Sequence, residues 1–157
     1  MAVREISYGV VGWGTGTIWL ADGIVVWHEL PTGETGDTGG SPHPLVERIR
    51  AYFAGERVSF ADVEIDLDWC TPFQRAVADE LRALPYGELV TYGELAALAG
   101  YPNAQRAAGT FCAHNRVPLV IPCHRVVSAG GIGGYGSLGA AFKRRLLALE
   151  GLVVEEE

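Results

Sequence analysis

At 157 residues with 48% hydrophobic side chains, the chain is long enough to bury a core and suits one domain or two very small ones, which excludes a disordered polypeptide. No stretch approaches the roughly 18 uninterrupted apolar residues of a membrane span, and the opening MAVREISYGVVGWG lacks the basic start and apolar core of a secretion signal, so a cytoplasmic protein without membrane contact is expected. The formal net charge of −7 counts against general nucleic-acid binding, which sets Lys and Arg against phosphate.

The charge is unevenly spread. Residues 1–94 carry six basic and fifteen acidic side chains, whereas Leu95 to Leu149 holds Arg106, Arg116, Arg125, Lys143, Arg144 and Arg145 and no acid. That asymmetry predicts a basic face on an acidic protein, with chance clustering as the plain alternative. Three cysteines at irregular spacing, Cys70, Cys112 and Cys123, do not form a disulfide framework and suit a reducing compartment.

In chain order, Ile6 to Leu30 is rich in Val, Ile, Trp and Tyr with Gly and Asp-Gly breaks, and reads as two or three short antiparallel strands. Pro31 to Pro44 is a Gly/Thr/Pro loop without periodicity, expected to be mobile. LVERIRAYFAGE is a short amphipathic helix, and VSFADVEIDLDW alternates as a strand or an extended connector would. Thr71-Pro72-Phe73-Gln74 is a capping box opening a helix through PFQRAVADELRAL, and Thr91-Tyr92-Gly93-Glu94 repeats the device before YGELAALAG. Asn103 is placed to cap a third helix, AQRAAGTFCAHN. Two short helices joined by a tight Gly-containing turn read as a helix-turn-helix, with close helix packing as the alternative. RVPLVIPCHRVV then reads as a buried extended segment or strand ending at a thiol, SAGGIGGYG as a Gly-rich turn of the kind that forms a β-wing or approaches a ligand closely, and LGAAFKRRLLALEG as an amphipathic helix with Phe142, Leu146 and Leu149 on one face and Lys143, Arg144 and Arg145 largely on another.

Cys123-His124 is the pair that carries chemistry. A thiol near its ordinary pKa of about 8.5 becomes a nucleophile when a base or a positive charge favours the thiolate, and His124 and Arg125 are at hand. On a strand, however, neighbours point to opposite faces, so His124 would act through a bend or a bridging water. The alternatives are a buried Cys serving as a small hydrophobe beside an exposed His, and a zinc site from Cys112, His114, Cys123 and His124, for which adjacent Cys-His is awkward.

IPCHRVV, preceded by TPFQ, YGELVTYGELA, RAAG and NRVPLV and followed by GGYG and KRRLLALEG, resembles the O6-alkylguanine-DNA alkyltransferases, the methylated-DNA–protein-cysteine methyltransferases. The resemblance runs from about Thr71 to Gly151 in the family's order. It implies an α+β chain with a trimmed ribonuclease-H-like antiparallel sheet domain over 1–66 and a winged helix-turn-helix alkyltransferase domain over 67–157. It also implies one-shot transfer of an alkyl group from O6 of guanine to Cys123 after nucleotide flipping, with O4 of thymine as a second position to test. His124 would take the thiol proton through a water, Glu150 would orient His124, and Asn115 would be the hinge. Tyr92 would assist flipping and donate to the leaving base. Arg106 would be the finger entering the duplex from the minor groove, with Ala107, Ala108 and Gly109 as the small face against DNA. Val126, Tyr135 and Gly136 would line the base pocket. The implied partner is alkylated double-stranded DNA bound by a monomer, with no cofactor, metal or obligate protein partner.

The chain departs from the family pattern at Val77-Ala78, where many relatives have Val-Trp, at RAAG in place of Arg-Ala-Val-Gly, and in a glycine loop one residue shorter. His28 and His43, with no cysteine before Cys70, do not match the zinc set of some relatives. Two other classes are weighed. A non-catalytic lesion-binding protein would replace the acceptor cysteine. A winged-helix transcription regulator would need more base-reading side chains than AQRAAG offers.

Overall fold

The computed structural model describes residues 2–39 and 43–154. Three antiparallel strands open the chain, β1 (Val3–Val10), β2 (Gly14–Ala21) and β3 (Ile24–Thr32), in the order β1-β2-β3. The β2–β3 hairpin turns on Asp22 and Gly23, both at positive φ (52° and 81°), the backbone that a two-residue hairpin matching strand twist requires. Ile6, Tyr8, Ile18, Leu20, Val25 and Leu30 are buried. They share one core with α1 (Pro44–Phe53), whose Leu45, Val46, Ile49, Tyr52 and Phe53 recur at helical spacing. Full burial of a side chain such as Ile49 stabilises the fold by about 1.5–3 kcal/mol.

Pro31 and Thr32 of the expected loop belong to β3. The described part that follows is tied down: Gly9 N donates to Asp37 O (2.8 Å), Thr35 Oγ1 to Val10 O (3.2 Å) and Arg50 Nη2 to Asp37 O (3.1 Å). Residues 40–42 of that loop lie outside the described residues. The VSFADVEIDLDW segment is a connector, joined to the sheet edge where Val25 N donates to Glu64 O (3.0 Å) and Asp66 N to Val25 O (2.9 Å).

The second half contains α2 (Pro72–Ala83), β4 (Val90–Thr91), α3 (Tyr92–Leu98), α4 (Gln105–Ala113), β5 (Val126–Val127) and α5 (Gly139–Leu149). Both capping boxes form: Thr71 and Gln74 exchange side-chain and backbone bonds at α2, as do Thr91 and Glu94 at α3. α3 packs against α4, and β4 pairs in parallel with β5 through Val90 and Val126.

Four expectations are corrected. Asn103 does not cap α4. It sits at φ 69° in a turn closed by Ala104 N to Tyr101 O (3.2 Å), the left-handed position after Pro102, and the cap falls to Ala104 with no side-chain bond. Residues 117–125 are not a strand: Ile121 N donates to Val117 O (2.9 Å), Leu119 stands at φ 75°, and Cys123–Arg125 form a 3-10 turn. The expected glycine-rich turn is a loop carrying two isolated bridges, Ser128↔Gly131 and Tyr135↔Ser137. Lys143 lies on the buried face of α5 with Leu146 and Leu147, at i, i+3 and i+4. Because Arg125 is buried too, the basic residues of 95–149 do not form one face.

Candidate active site

Asn115, just beyond α4, holds the turn that carries the thiol. Its Nδ2 donates to Ile121 O (2.8 Å) and to Cys123 Sγ (3.3 Å), while Oδ1 accepts from Val117 N (2.9 Å). The turn includes Leu119 in the left-handed region, which costs on the order of 1–3 kcal/mol for a bulky residue. Near-complete burial of the Leu119 side chain offsets that cost.

Behind the thiol lies a buried carboxylate with four donors. Glu150, the C-cap of α5, accepts at Oε2 from His124 Nε2 (2.6 Å) and Tyr52 Oη (2.6 Å), and at Oε1 from Arg125 Nε (2.8 Å) and Gly87 N (2.9 Å). Burial pushes its pKa up, but the bonds and charges of His124 and Arg125 outweigh this and bring it down to about 2. An ionised carboxylate only accepts, so Nε2 of His124 carries the proton. Nδ1 therefore presents its lone pair, and it has no hydrogen-bond partner among the described residues. Burial, partly countered by Glu150, lowers the His124 pKa, so the imidazole is neutral and able to take a proton.

Cys123 is 2% exposed. Burial first, then the neighbouring Cys112 thiol, raise its pKa well above the usual thiol value, while Asn115 and Lys143 pull it down. The resting group is a thiol, and a base is needed to release its proton. Lys143 Nζ donates to Gly134 O (3.0 Å) and lies 5.6 Å from the Tyr92 ring centroid. Burial lowers its pKa to about 8. Tyr92, the first residue of α3, has its pKa pushed up to about 12 by burial and then by Cys112 and Cys123, so it keeps its proton and can donate it.

The other expected residues separate into two groups. Tyr92 and Arg106 line one open cleft of about 750 Å³ with Gly93, Gln105, Ser128 and Ala129. Ala107 is exposed on the same helix and Gly109 is half-buried, its Cα facing the Tyr92 ring. Ala108 is fully buried, which narrows the expected small surface to Ala107 and Gly109. Tyr135 and Gly136 line a different cleft, of about 380 Å³, with Cys112, Asn115 and His28. Gly136 stands at φ 52° with room for no side chain, since a Cβ there would come within 3.0 Å of Ala113 O. Val126 is buried on β5 and lines neither cleft, and neither does Cys123. Among the described residues no group of three or more His, Cys, Asp or Glu is placed to hold a metal ion.

Three participants were missed from sequence. Tyr52 is 98 residues from Glu150, and nothing local marks it. Lys143 read as a surface cation and Cys112 only as a zinc candidate, while Arg125 was placed beside the thiol but not on Glu150. The one available signal was spacing: Lys143, Leu146, Leu147 and Glu150 share a helical face.

The residues matched by the family model described as 6-O-methylguanine DNA methyltransferase, DNA binding domain, are 72–152. The methylated-DNA–protein-cysteine methyltransferase of Mycolicibacterium paratuberculosis is 46% identical over 125 residues, covering 76% of this chain and 74% of the relative. The chain belongs to the methylated-DNA–protein-cysteine methyltransferase family. The Methanothermobacter thermautotrophicus methyltransferase is 37% identical over 145 residues, covering 89% and 81% of the two chains. Among solved structures, Mycobacterium tuberculosis OGT in complex with DNA superposes with a TM-score of 0.76 at 38% identity, covering 95% of this chain and 92% of that one. The methyltransferase model spans Tyr92, Arg106, Asn115, Cys123, His124 and Glu150, while Tyr52 and His28 lie outside it.

Proposed function

We infer that this protein repairs alkylated DNA by direct transfer of an alkyl group from O6 of guanine to Cys123, once per molecule. The observation that carries the reading is a buried thiol, gripped by Asn115, on the same turn as a neutral histidine whose far nitrogen is fixed by Glu150. As the thiol proton passes through a bridging water to His124 Nδ1, Sγ attacks the alkyl carbon. The S–C bond forms while the C–O6 bond breaks, and the electron pair leaves with guanine. Tyr92, still protonated, donates to the departing base, and the backbone near Gly136 faces its other edge. The base takes up the balancing proton, and the thioether left on Cys123 has no adjacent group able to cleave it.

Alkylated double-stranded DNA is the partner, bound by a monomer through the minor groove. Arg106 reaches from the cleft edge to fill the stack when the nucleotide is extruded, a step that costs a few kcal/mol. Support comes from the shared cleft of Tyr92 and Arg106 and from the small residues Ala107 and Gly109, which let α4 approach a backbone closely. In this reading 1–66 is a trimmed ribonuclease-H-like unit of three strands and a helix, and 67–157 a winged helix-turn-helix unit. Although Val126 lines neither cleft of the free protein, this reading assigns Val126, Tyr135 and Gly136 to the pocket that the flipped base enters. Three free cysteines suit a cytoplasmic setting. The test is nucleoside analysis of a duplex bearing one O6-methylguanine after incubation with excess protein. Conversion of the lesion to guanine, one per protein molecule consumed, is the expected result, and binding without conversion refutes transfer.

A further inference from the structure

His28 lies on β3, outside the family-model match, and is 2% exposed. Its Nδ1 is 2.8 Å from Pro118 O, and its Nε2 is 2.6 Å from Tyr8 Oη. A carbonyl oxygen only accepts, so Nδ1 carries the proton, Nε2 accepts, and the Tyr8 hydroxyl donates to it. The backbone repeats the link, with His28 N donating to Arg116 O at 2.9 Å. Arg116 and Pro118 flank Val117, whose N–H is held by Asn115 Oδ1. Asn115 in turn grips Cys123 Sγ. A directional chain thus runs from β1 through His28 to the turn beneath the thiol. It borders the cleft of about 380 Å³ between the sheet and the end of α4. His28, Asn115 and Pro118 all line that cleft.

We propose that His28 is a positioning residue for alkyl transfer, through which the N-terminal sheet fixes the Arg116–Pro118 backbone and hence the Asn115 hold on Cys123. The inference rests on the repair reading above. It makes the sheet part of the reaction geometry, where a displacement near 1 Å can cost about a hundredfold in rate.

Single-turnover transfer from an O6-methylguanine duplex separates positioning from mere folding, because loss of folded protein lowers the amplitude while the rate constant of the remaining molecules stands. His28→Leu removes both side-chain bonds, and the expected result is a rate constant lower by about tenfold with affinity for the duplex, measured in a Cys123→Ser background, within about twofold. His28→Asn, which keeps a donor for Pro118 O, recovers most of the rate, and Tyr8→Phe falls between. A His28→Leu rate constant equal to wild type, with only amplitude or melting temperature reduced, overturns the proposal. Absence of transfer by the wild-type protein would instead overturn the repair reading.

Discussion

Four donors converge on the Glu150 carboxylate, two of them on the oxygen that also fixes His124. Tyr52→Phe removes one of these, leaving an acceptor short of a partner in a buried site. The expected cost is about 1–2 kcal/mol by urea unfolding, with transfer to Cys123 retained because the His124–Glu150 bond remains. Cys112 acts in the opposite sense from the catalytic groups: after burial, its thiol is the largest influence raising the Cys123 pKa. Cys112→Ala should therefore speed alkylation of Cys123 by iodoacetamide in the free protein, read by peptide mass, and an unchanged or slower rate counts against that influence. At this scale the sequence was informative where neighbours decide the chemistry, as in Cys123-His124, and silent where the partner comes from a distant strand or helix, as with Tyr52 and His28.

α3 places Tyr92 because its capping box sets where the helix begins. Thr91 Oγ1 accepts from Glu94 N (3.1 Å) and Glu94 Oε1 accepts from Thr91 N (2.9 Å). Thr91→Ala is expected to cost about 1 kcal/mol and to slow transfer by loosening the first turn of α3, measurable as a lower urea midpoint and a lower single-turnover rate. Both capping boxes were legible because their signals lie within four consecutive residues. The start of α4 was not, since Asn103 suits a cap and a left-handed turn equally, and the turn claimed it. The segment before Cys123 misled for another reason: an apolar run such as VPLVI is equally consistent with a buried strand and a buried turn, and the Asn115 bonds that choose the turn are side-chain contacts. Lys143 was misread because amphipathic patterning counts every lysine as solvent-facing, whereas this one spends its donor on Gly134 O.

For the molecule as a whole, three buried groups set the acid response: His28, His124 and Glu150. His28 is held neutral, its pKa lowered by burial to about 4 from 6.5. The unfolded chain therefore binds the extra proton first as pH falls, and stability present above pH 6.5 is lost towards pH 4. Glu150, lowered to about 2 from 4.5, contributes stability above pH 4.5 that is lost as pH falls towards 2. The His28 and Glu150 contributions are each on the order of 3 kcal/mol, so thermal melting at constant ionic strength should fall in two overlapping stages, and His28→Leu should reduce the upper one, to which the buried neutral His124 also contributes. The three strands at the start and the capped helices that follow were legible, but their connection was not, because Tyr52–Glu150 and His28–Pro118 join residues 98 and 90 apart. The central claim is that Cys123 accepts the alkyl group. Intact mass followed by peptide mapping of Cys70, Cys112 and Cys123, after incubation with a duplex bearing one O6-methylguanine, tests it most directly. One added methyl on Cys123, and none on a Cys123→Ala protein, is the predicted result. An unmodified Cys123 with the lesion still bound, or a methyl on Cys112 instead, would contradict it.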